Sequence, residues 1–130
     1  MMQTFNGGDE IPYGITQVQA LQVPDKNVSN RKVCVIDSGY DLNHPDLPKD
    51  SVTGEATSSA GNWFQDGSSH GTHVAGTIAA IGNNGFGVTG VVRSGKMKIH
   101  IYKIFGNDGI WTRTSNLITA VSALVQAPSS

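Results

Sequence analysis

The chain has 130 residues, the length of one ordinary domain, and its content of 38% hydrophobic and 15% charged residues is typical of a globular protein. The formal net charge is -1 and the nine basic residues are dispersed, so the charge argues against binding to nucleic acid or to an anionic membrane surface. No apolar run approaches the roughly 20 residues that span a bilayer. We therefore expect neither nucleic acid nor a membrane among the partners.

Cys34 is the only cysteine, so no disulfide can form within the chain. It lies in the apolar run at residues 32–36, and free cysteine behaves as a small hydrophobic residue that is usually buried. The sequence therefore predicts a buried thiol rather than a nucleophile, and it leaves the redox compartment open.

The first ordered element is predicted to follow a flexible or loosely docked leader, residues 1–10. This leader lacks the charged and apolar regions of a signal peptide. A short helix is predicted over residues 16–23, capped by Thr16 and ended by Pro24. A polar loop is predicted to follow at residues 25–30.

The β-rich run at residues 31–36 shows no alternation of apolar and polar side chains. That pattern is typical of a strand covered on both faces, so we predict a central strand of a parallel sheet. Residues 40–67 are predicted to be mostly loop, with Trp63 and Phe64 as anchors. A loop of this length inside a compact domain is usually functional or mobile.

A helix of small residues is predicted to begin at His70. A second strand and a final helix are predicted over residues 98–105 and 114–126. The alternation of helices and strands predicts an α/β fold with parallel strands and crossover helices. Because two strands make a very small sheet, we expect a partial parallel sheet flanked by helices, in a chain that is truncated.

Two residues at the ends of predicted elements are candidates for chemistry. Asp37 follows a predicted buried strand, where open α/β sheets place functional groups, although an aspartate before Ser38 and Gly39 also suits a plain turn. His70 lies at a predicted helix start, where it would also serve as an ordinary first residue. Because the positive end of the helix dipole disfavours protonation, the sequence predicts a neutral imidazole that can act as a general base.

Several motifs together resemble the subtilisin-like serine proteases, or subtilases: VIDSG at 35–39, HPDL at 44–47, HGTHVAGT at 70–77, PYGI at 12–15 and KIFGNDG at 103–109. The resemblance covers nearly all of residues 10–126. It implies that residues 11–130 form the N-terminal part of a catalytic domain with a three-layer fold. It also implies that Asp37 and His70 are the aspartate and histidine of an Asp-His-Ser catalytic triad.

The family's third signature, a Gly-Thr-Ser-Met-Ala-like segment that carries the nucleophile, does not occur in these residues. Ser129 and Ser130 lie in an Ala-Pro-Ser-Ser tail without that context. The resemblance therefore implies a fragment of a secreted serine endopeptidase that acts on peptide or protein substrates. We expect it to be inactive without a complementary C-terminal chain that carries the serine. A non-catalytic module that binds peptides or a partner is the alternative.

The resemblance also implies a structural calcium site, in which a glycine-rich loop at residues 81–88 supplies several ligands. Carboxylate, carbonyl and amide oxygens suit this hard cation. The implied ligands are Asp46, Ile81, Asn84, Phe86, Val88 and, from the N-terminal segment, Asp9. Because the loop is one residue longer than the common form, Asn83 could replace Asn84. An ordinary polar turn without metal is the alternative.

Residues 105–111 resemble the edge along which the family pairs an extended substrate strand. The resemblance implies that Gly109 and Trp111 supply the backbone pairing. Phe105, Trp111 and Leu117 would line a pocket for an apolar side chain, and Trp111 stands where a smaller residue is usual. Packing of the aromatic residues in the core is the alternative.

Overall fold

The computed structural model describes residues 3–4, 8–28, 30–110 and 113–126. Its strands are β1 (Gln3–Thr4), β2 (Glu10–Ile11), β3 (Lys32–Asp37), β4 (Val52–Ala56) and β5 (Lys98–Lys103). Its helices are α1 (Tyr13–Gln17), α2 (His70–Ala79) and α3 (Thr114–Gln126), and Ala20–Gln22 forms a short 3-10 turn. No helix within the described ranges is long and apolar enough to cross a membrane.

Strands β3, β5 and β4 form a parallel sheet in that order, with β5 in the middle. Asp37 at the end of β3 lies opposite Lys103 at the end of β5. The expected parallel α/β sheet is confirmed, but the prediction that β3 is central is wrong. Strand β4 falls within the segment predicted to be loop, and it pairs with β5, which leaves β3 at an edge of the described sheet.

Side chains alternate along β5 between two layers of the core. Ile99 and Ile101 are buried on one face with Ala75 and Ala79 of α2. Tyr102 packs on the other face, against side chains of α3. The sheet therefore lies between α2 and α3, which is the three-layer arrangement that the resemblance implies.

The N-terminal segment is tied to the rest of the molecule. Strand β1 pairs antiparallel with β2, so part of the segment expected to be a loose leader is in a strand. Asp9 is completely buried. The backbone of Glu10 donates to Gly87 O at 2.8 Å and accepts from Thr89 N at 3.0 Å. These contacts hold β2 against the loop that follows α2.

Helix α1 begins earlier than the helix predicted at residues 16–23. Pro12 directly precedes it with φ -57°, a value that prepares a helix start. Gln19 then adopts the left-handed region with φ 60°, which separates the helix from the 3-10 turn. The predicted Thr16 cap is therefore wrong, because Thr16 lies inside the helix and the stiff proline precedes its start.

Cys34 is exposed, which corrects the prediction of a buried thiol. It lies on an edge strand and on the face opposite to Val35, which is the one fully buried residue of β3. Partial burial raises the pKa of the thiol above its usual value, and the charge of Lys32 opposes this effect. Because β3 is an edge strand, the face that carries Cys34 is open to solvent although the sequence of the strand is apolar.

Trp63 and Phe64 meet edge to face, with ring centroids 5.5 Å apart. Only Trp63 is the anchor that the sequence predicts, because it packs against the α2 side of the core whereas Phe64 is 47% exposed. The indole ring lies against Gly54 of β4, where a Cβ atom would overlap it. The tryptophan therefore requires a glycine at this point of the strand.

Helix α2 approaches the end of β3 so closely that Gly71 has no room for a side chain. A Cβ atom there would overlap the carbonyl oxygen of Gly39 and approach the backbone nitrogen of Ser38 to 3.1 Å. We expect Gly71→Ala to lower the free energy of unfolding by about 1–3 kcal/mol, the usual cost of overpacking. Urea titration followed by circular dichroism would measure the change.

Gly76 of the same helix provides a matched control, because a Cβ atom there would meet only Cδ2 of Leu47, at 3.7 Å. We expect Gly76→Ala to raise the free energy of unfolding by about 0.5–1 kcal/mol, since alanine loses less backbone entropy than glycine in a helix. Equal effects of the two substitutions would contradict the close packing of α2 on Gly39.

Candidate active site

Asp37 and His70, the two residues predicted to be catalytic, lie side by side. Asp37 ends β3 and His70 is the first residue of α2. Nδ1 of His70 lies 2.9 Å and 3.0 Å from the two carboxylate oxygens of Asp37. Because a carboxylate only accepts hydrogen bonds, Nδ1 donates, and Nε2 is left as the acceptor of a neutral ring.

The imidazole is open to solvent. The His70 side chain is 72% exposed, whereas the Asp37 side chain is 14% exposed. The backbone nitrogen of Ser38 donates to Oδ1 of Asp37 at 2.7 Å and helps to fix the carboxylate. Nε2 is therefore accessible to a reactant, while Nδ1 is held by the Asp37 carboxylate.

The pKa of His70 is raised above its ordinary value near 6.5, first by the hydrogen bond to Asp37 and then by the charge of that carboxylate. The charge of Asp66 acts in the same direction. The prediction that the helix dipole favours a neutral ring is therefore wrong in its direction. A full negative charge in direct contact outweighs the partial charge of a helix end.

The first turn of α2 has a partner for each of its first four backbone N–H groups, which helix ends usually leave unsatisfied. Counted from the N-cap Ser69, the donors and acceptors are Ser69 N to Asp66 Oδ1 (3.0 Å), His70 N to Ser68 Oγ (3.4 Å), Gly71 N to Ser38 Oγ (2.8 Å) and Thr72 N to Asp66 Oδ2 (2.8 Å). Groups from the end of β3 and from the preceding loop therefore fix where the helix begins.

Asp66 is the central acceptor of this turn. Its Oδ1 accepts from Ser38 Oγ at 2.7 Å and from Ser69 N at 3.0 Å, and its Oδ2 also accepts from Thr72 Oγ1 at 2.6 Å. Burial acts to raise the pKa of Asp66, but the hydrogen bonds from Thr72 and Ser38 outweigh it and lower the pKa. Sequence reasoning missed Asp66, although an aspartate just before a helix start was an available signal.

Lys103 lies fully buried at the base of the site. Its Nζ donates to Ser38 O at 2.7 Å, to Gln65 O at 2.5 Å and to Asn107 Oδ1 at 2.6 Å. Burial lowers the pKa of this lysine, and the charge of Asp66 opposes that effect. Sequence reasoning missed Lys103 as well, because a lysine at a strand end is usually exposed.

Two cavities border the site. The larger, about 1230 Å³, is a mostly apolar opening between α1 and α2, which we call the α1–α2 groove; its lining includes Tyr13, Leu47, Phe64, Thr72 and Ala80. The smaller, about 520 Å³, is lined by Ser59, Ala60, Gly61, Gly106, Asn107, Asp108 and Ile110. Asp66 and Asn107 line the groove, so it adjoins the network that holds His70.

The residues predicted to bind calcium meet around Asn84. The backbone nitrogen of Asn84 donates to Oδ2 of Asp9 at 3.1 Å, and its Nδ2 donates to Oδ1 of Asp46 at 2.7 Å. Asp46 also accepts from Ile81 N at 2.9 Å, through its carbonyl oxygen, and from Val88 N at 2.8 Å, through Oδ2. Asn84 thus contacts both carboxylates.

Two further residues of this loop are exposed to solvent. Asn83 is exposed and adopts φ 60°, so the structure places Asn84 rather than Asn83 against Asp46. Phe86 is 45% exposed, and the resemblance implies a role only for its carbonyl oxygen.

The chemistry of this cluster suits a hard cation. Asp9 is 0% exposed and Asp46 is 3% exposed, and neither forms an ion pair with another described residue. Oδ1 of Asn84 is buried without a hydrogen-bond partner among the described residues. Within these ranges no group of three or more His, Cys, Asp or Glu side chains could hold a metal, so the available ligands are mainly neutral oxygens around two carboxylates. Such a set fits Ca²⁺ better than Zn²⁺.

The segment predicted to bind substrate is folded into a turn. Gly109 has φ 77°, and its N–H donates to Gly106 O at 2.9 Å. Phe105 and Leu117 are half-buried and pack against the cluster on the α3 side of the sheet. Neither side chain lines the two cavities described above. Trp111 lies outside the described residues.

Comparison with known protein families identifies the family of this chain. The family model of the subtilase family, peptidase S8, matches residues 29–127. The chain belongs to the subtilase family. The resemblance seen in the sequence motifs is therefore confirmed.

Individual subtilases match closely over part of their length. The chain is 53% identical over 103 residues both to subtilisin E of Bacillus subtilis (strain 168) and to subtilisin of Bacillus pumilus. Each match covers 76% of this chain, but 26% and 35% of the two relatives. The crystal structure of the psychrophilic subtilisin-like protease Apa1 from Pseudoalteromonas sp. AS-11 is 47% identical with a TM-score of 0.78, over 88% of this chain and 26% of that one. The chain thus spans about a quarter to a third of these subtilases.

We expect His70 to titrate with a pKa above 6.5 and Asp37→Asn to lower that pKa toward 6.5, because the amide removes the charge and the strong acceptor. NMR titration of the histidine ring carbons would measure both values. Glu55→Gln is the control, since Glu55 contacts a different imidazole, that of His100, at 2.8 Å. A His70 pKa that is unchanged in Asp37→Asn would contradict the contact.

The same contact has a defined effect on stability. Because folding raises the His70 pKa, the charged contact stabilises the fold below about pH 6.5 and is lost as the pH rises through the folded-state pKa. Asp37→Asn should therefore flatten the pH dependence of Tm from pH 6.5 upward.

Proposed function

We propose that Asp37 and His70 are the aspartate and histidine of an Asp-His-Ser triad in a subtilisin-like serine endopeptidase. The observation that carries the proposal is the contact between Nδ1 and the carboxylate in a chain of the subtilase family. In this role Asp37 orients the ring and stabilises the imidazolium, while Nε2 exchanges a proton with the serine.

The proposed reaction is acyl transfer from a peptide bond. The serine oxygen attacks the peptide carbonyl carbon as its proton passes to Nε2 of His70, and the imidazolium then gives this proton to the leaving amine. Water attacks the resulting ester as its proton passes to Nε2, and the serine regains a proton when the acid leaves. Peptides or proteins are the proposed substrates, with residues 105–111 as the proposed substrate edge, and the likeness to subtilisins supports secretion.

No Gly-Thr-Ser-Met-Ala-like segment occurs in these 130 residues, so the proposed serine belongs to a segment outside them, either further along the same protein or in a complementary polypeptide. The α1–α2 groove supports this idea, since it adjoins the site and leaves Tyr13 69% and Phe64 47% exposed. Apolar surface of this kind marks an interaction site. The match covers 26% of subtilisin E, so most of that protein lies outside it.

We expect the purified chain not to react with a fluorophosphonate probe, because none of its serines lies in a nucleophile motif. Addition of the rest of a subtilase catalytic domain, with its serine, should produce both labelling and peptidase activity. His70→Ala should abolish the activity of the mixture but not complex formation, which size-exclusion chromatography would follow. Labelling of Ser129 or Ser130 in the chain alone would contradict the proposal.

A non-catalytic binding module is the second candidate, and the open α1–α2 groove is the observation that favours it. Stable binding of the complementary polypeptide without any peptidase activity would support this module against the split enzyme.

We also propose that the cluster around Asn84 holds a structural Ca²⁺ ion. The side chains of Asp9, Asp46 and Asn84 would hold it, together with the carbonyl oxygens of Ile81, Phe86 and Val88. The two buried carboxylates and the unpartnered amide oxygen support this assignment. When bound, the ion supplies positive charge to two carboxylates that otherwise lack an ion-pair partner among the described residues.

We expect Ca²⁺ to raise the Tm of the chelator-treated chain and Asp46→Asn to remove this response, because the variant loses a charged ligand. A saturating ligand at a hundred times its Kd stabilises a fold by about 2.7 kcal/mol. Differential scanning fluorimetry would measure the shift. Asp50→Asn changes an exposed carboxylate and should keep the full response. An equal response of the two variants would refute the site.

A further inference from the structure

Lys103 is a buried cation that the Asp37–His70 pair does not touch. Its side chain is 0% exposed, and no ion pair joins it to a carboxylate within the described ranges. It is the register partner of Asp37, one strand away. Burying an ammonium group is costly unless hydrogen bonds compensate for its lost hydration. The acceptors around Lys103 must therefore be held firmly in place.

Three oxygen atoms take up the whole hydrogen-bonding capacity of the ammonium group, which has three donors. They are Ser38 O, Gln65 O and Asn107 Oδ1, at 2.5 Å to 2.7 Å from Nζ. Oδ1 of Asn107 also accepts from Gly67 N at 3.2 Å. Lys103 thus joins the end of β3, the loop before α2 and the turn after β5 at one point.

Two of the three joined segments, the end of β3 and the loop before α2, lead directly to the Asp37–His70 pair. Ser38 donates from its backbone to the Asp37 carboxylate at 2.7 Å, and its hydroxyl accepts from Gly71 N at 2.8 Å. Asp66 lies between Gln65, which binds Lys103, and Gly67, which binds Asn107. Its carboxylate accepts from Thr72 N at 2.8 Å. A shift of the Lys103 acceptors would therefore move the donor to Asp37 and two acceptors of the first turn of α2.

We propose that Lys103 is a positioning residue for the Asp37–His70 pair and acts through the backbone of Ser38 and Gln65. It does not reach the reacting atoms. Its meaning for catalysis rests on the proposed triad role of the pair, but its effect on the geometry of the pair does not.

Lys103→Met tests the proposal in the 130-residue chain, because it keeps a long side chain and removes all three donors. The carbonyl groups of Ser38 and Gln65 would then be buried without a partner, a costly state that a loop shift relieves. We expect the His70 pKa, measured by NMR, to fall toward 6.5, and the Nδ1 proton signal to weaken as the contact with Asp37 loosens. Lys103→Arg keeps the charge and donors and should restore part of both signals.

Asn107→Ala is the second variant and keeps the test decisive if Lys103→Met does not fold. Asn107 is exposed, and its loss removes one acceptor of Lys103 and the tie to Gly67, so a smaller fall of the His70 pKa is expected. Lys98→Met, at the other end of β5, is the control and should leave His70 unchanged.

If Lys103 only stabilised the fold, the result would be different. The Tm of folded Lys103 and Asn107 variants would fall while their His70 pKa stayed at the value of the unaltered chain, and this outcome would overturn the proposal. The same His70 shift in Lys98→Met would also overturn it. Failure of the complementation assay would refute the triad role and would leave the His70 titration, and hence this inference, standing.

Discussion

The packing of the first turn of α2 on the carboxyl end of β3 is the constraint on which the site depends. The missing side chain of Gly71 lets the helix approach the backbone of Gly39, and this approach brings His70 within 2.9 Å of Asp37. Sterics set the distance, whereas the acceptors on Ser38 and Asp66 set the direction of the helix. Each such cap contributes about 0.5–2 kcal/mol. The same hydrogen bonds therefore stabilise the fold and orient the proposed base.

Local sequence patterns predicted those parts of the structure that depend on near neighbours. The start of α2 at His70 and both ends of α3 agree with the predicted helices. Strand β4 was missed, because Gly54 is a poor strand former that only the distant Trp63 explains. The bonds of the buried lysine were missed because they cross a long stretch of sequence, as does the bond from the Ser38 hydroxyl to Asp66. The direction of the His70 pKa shift was predicted wrongly for the same reason, because Asp37 is distant in sequence and only the fold brings its charge next to the imidazole.

Helix α2 is fixed at both ends, and the two ends have different chemistry. Its first turn meets Asp66, and the residue just beyond its last turn, Ala80, is followed by Ile81, whose N–H donates to Asp46 O at 2.9 Å. Ten helical residues span about 15 Å, so the proposed ion would lie too far from Nε2 to take part in proton transfer. It would act on His70 only through the position of the helix.

The arrangement of charge explains why His70 keeps the full effect of Asp37. A lysine that formed an ion pair with Asp37 would compete with His70 for the carboxylate and weaken the contact with the imidazole. Lys103 instead donates all three of its hydrogen bonds to neutral oxygen atoms. The His70 ring is 72% exposed, and any segment that covers it would remove water and lower its pKa, because desolvation disfavours the charged form. Asp37 opposes that fall. Docking of the proposed serine-bearing segment would therefore act on the pKa of His70 in two opposite directions, with desolvation lowering it and Asp37 raising it.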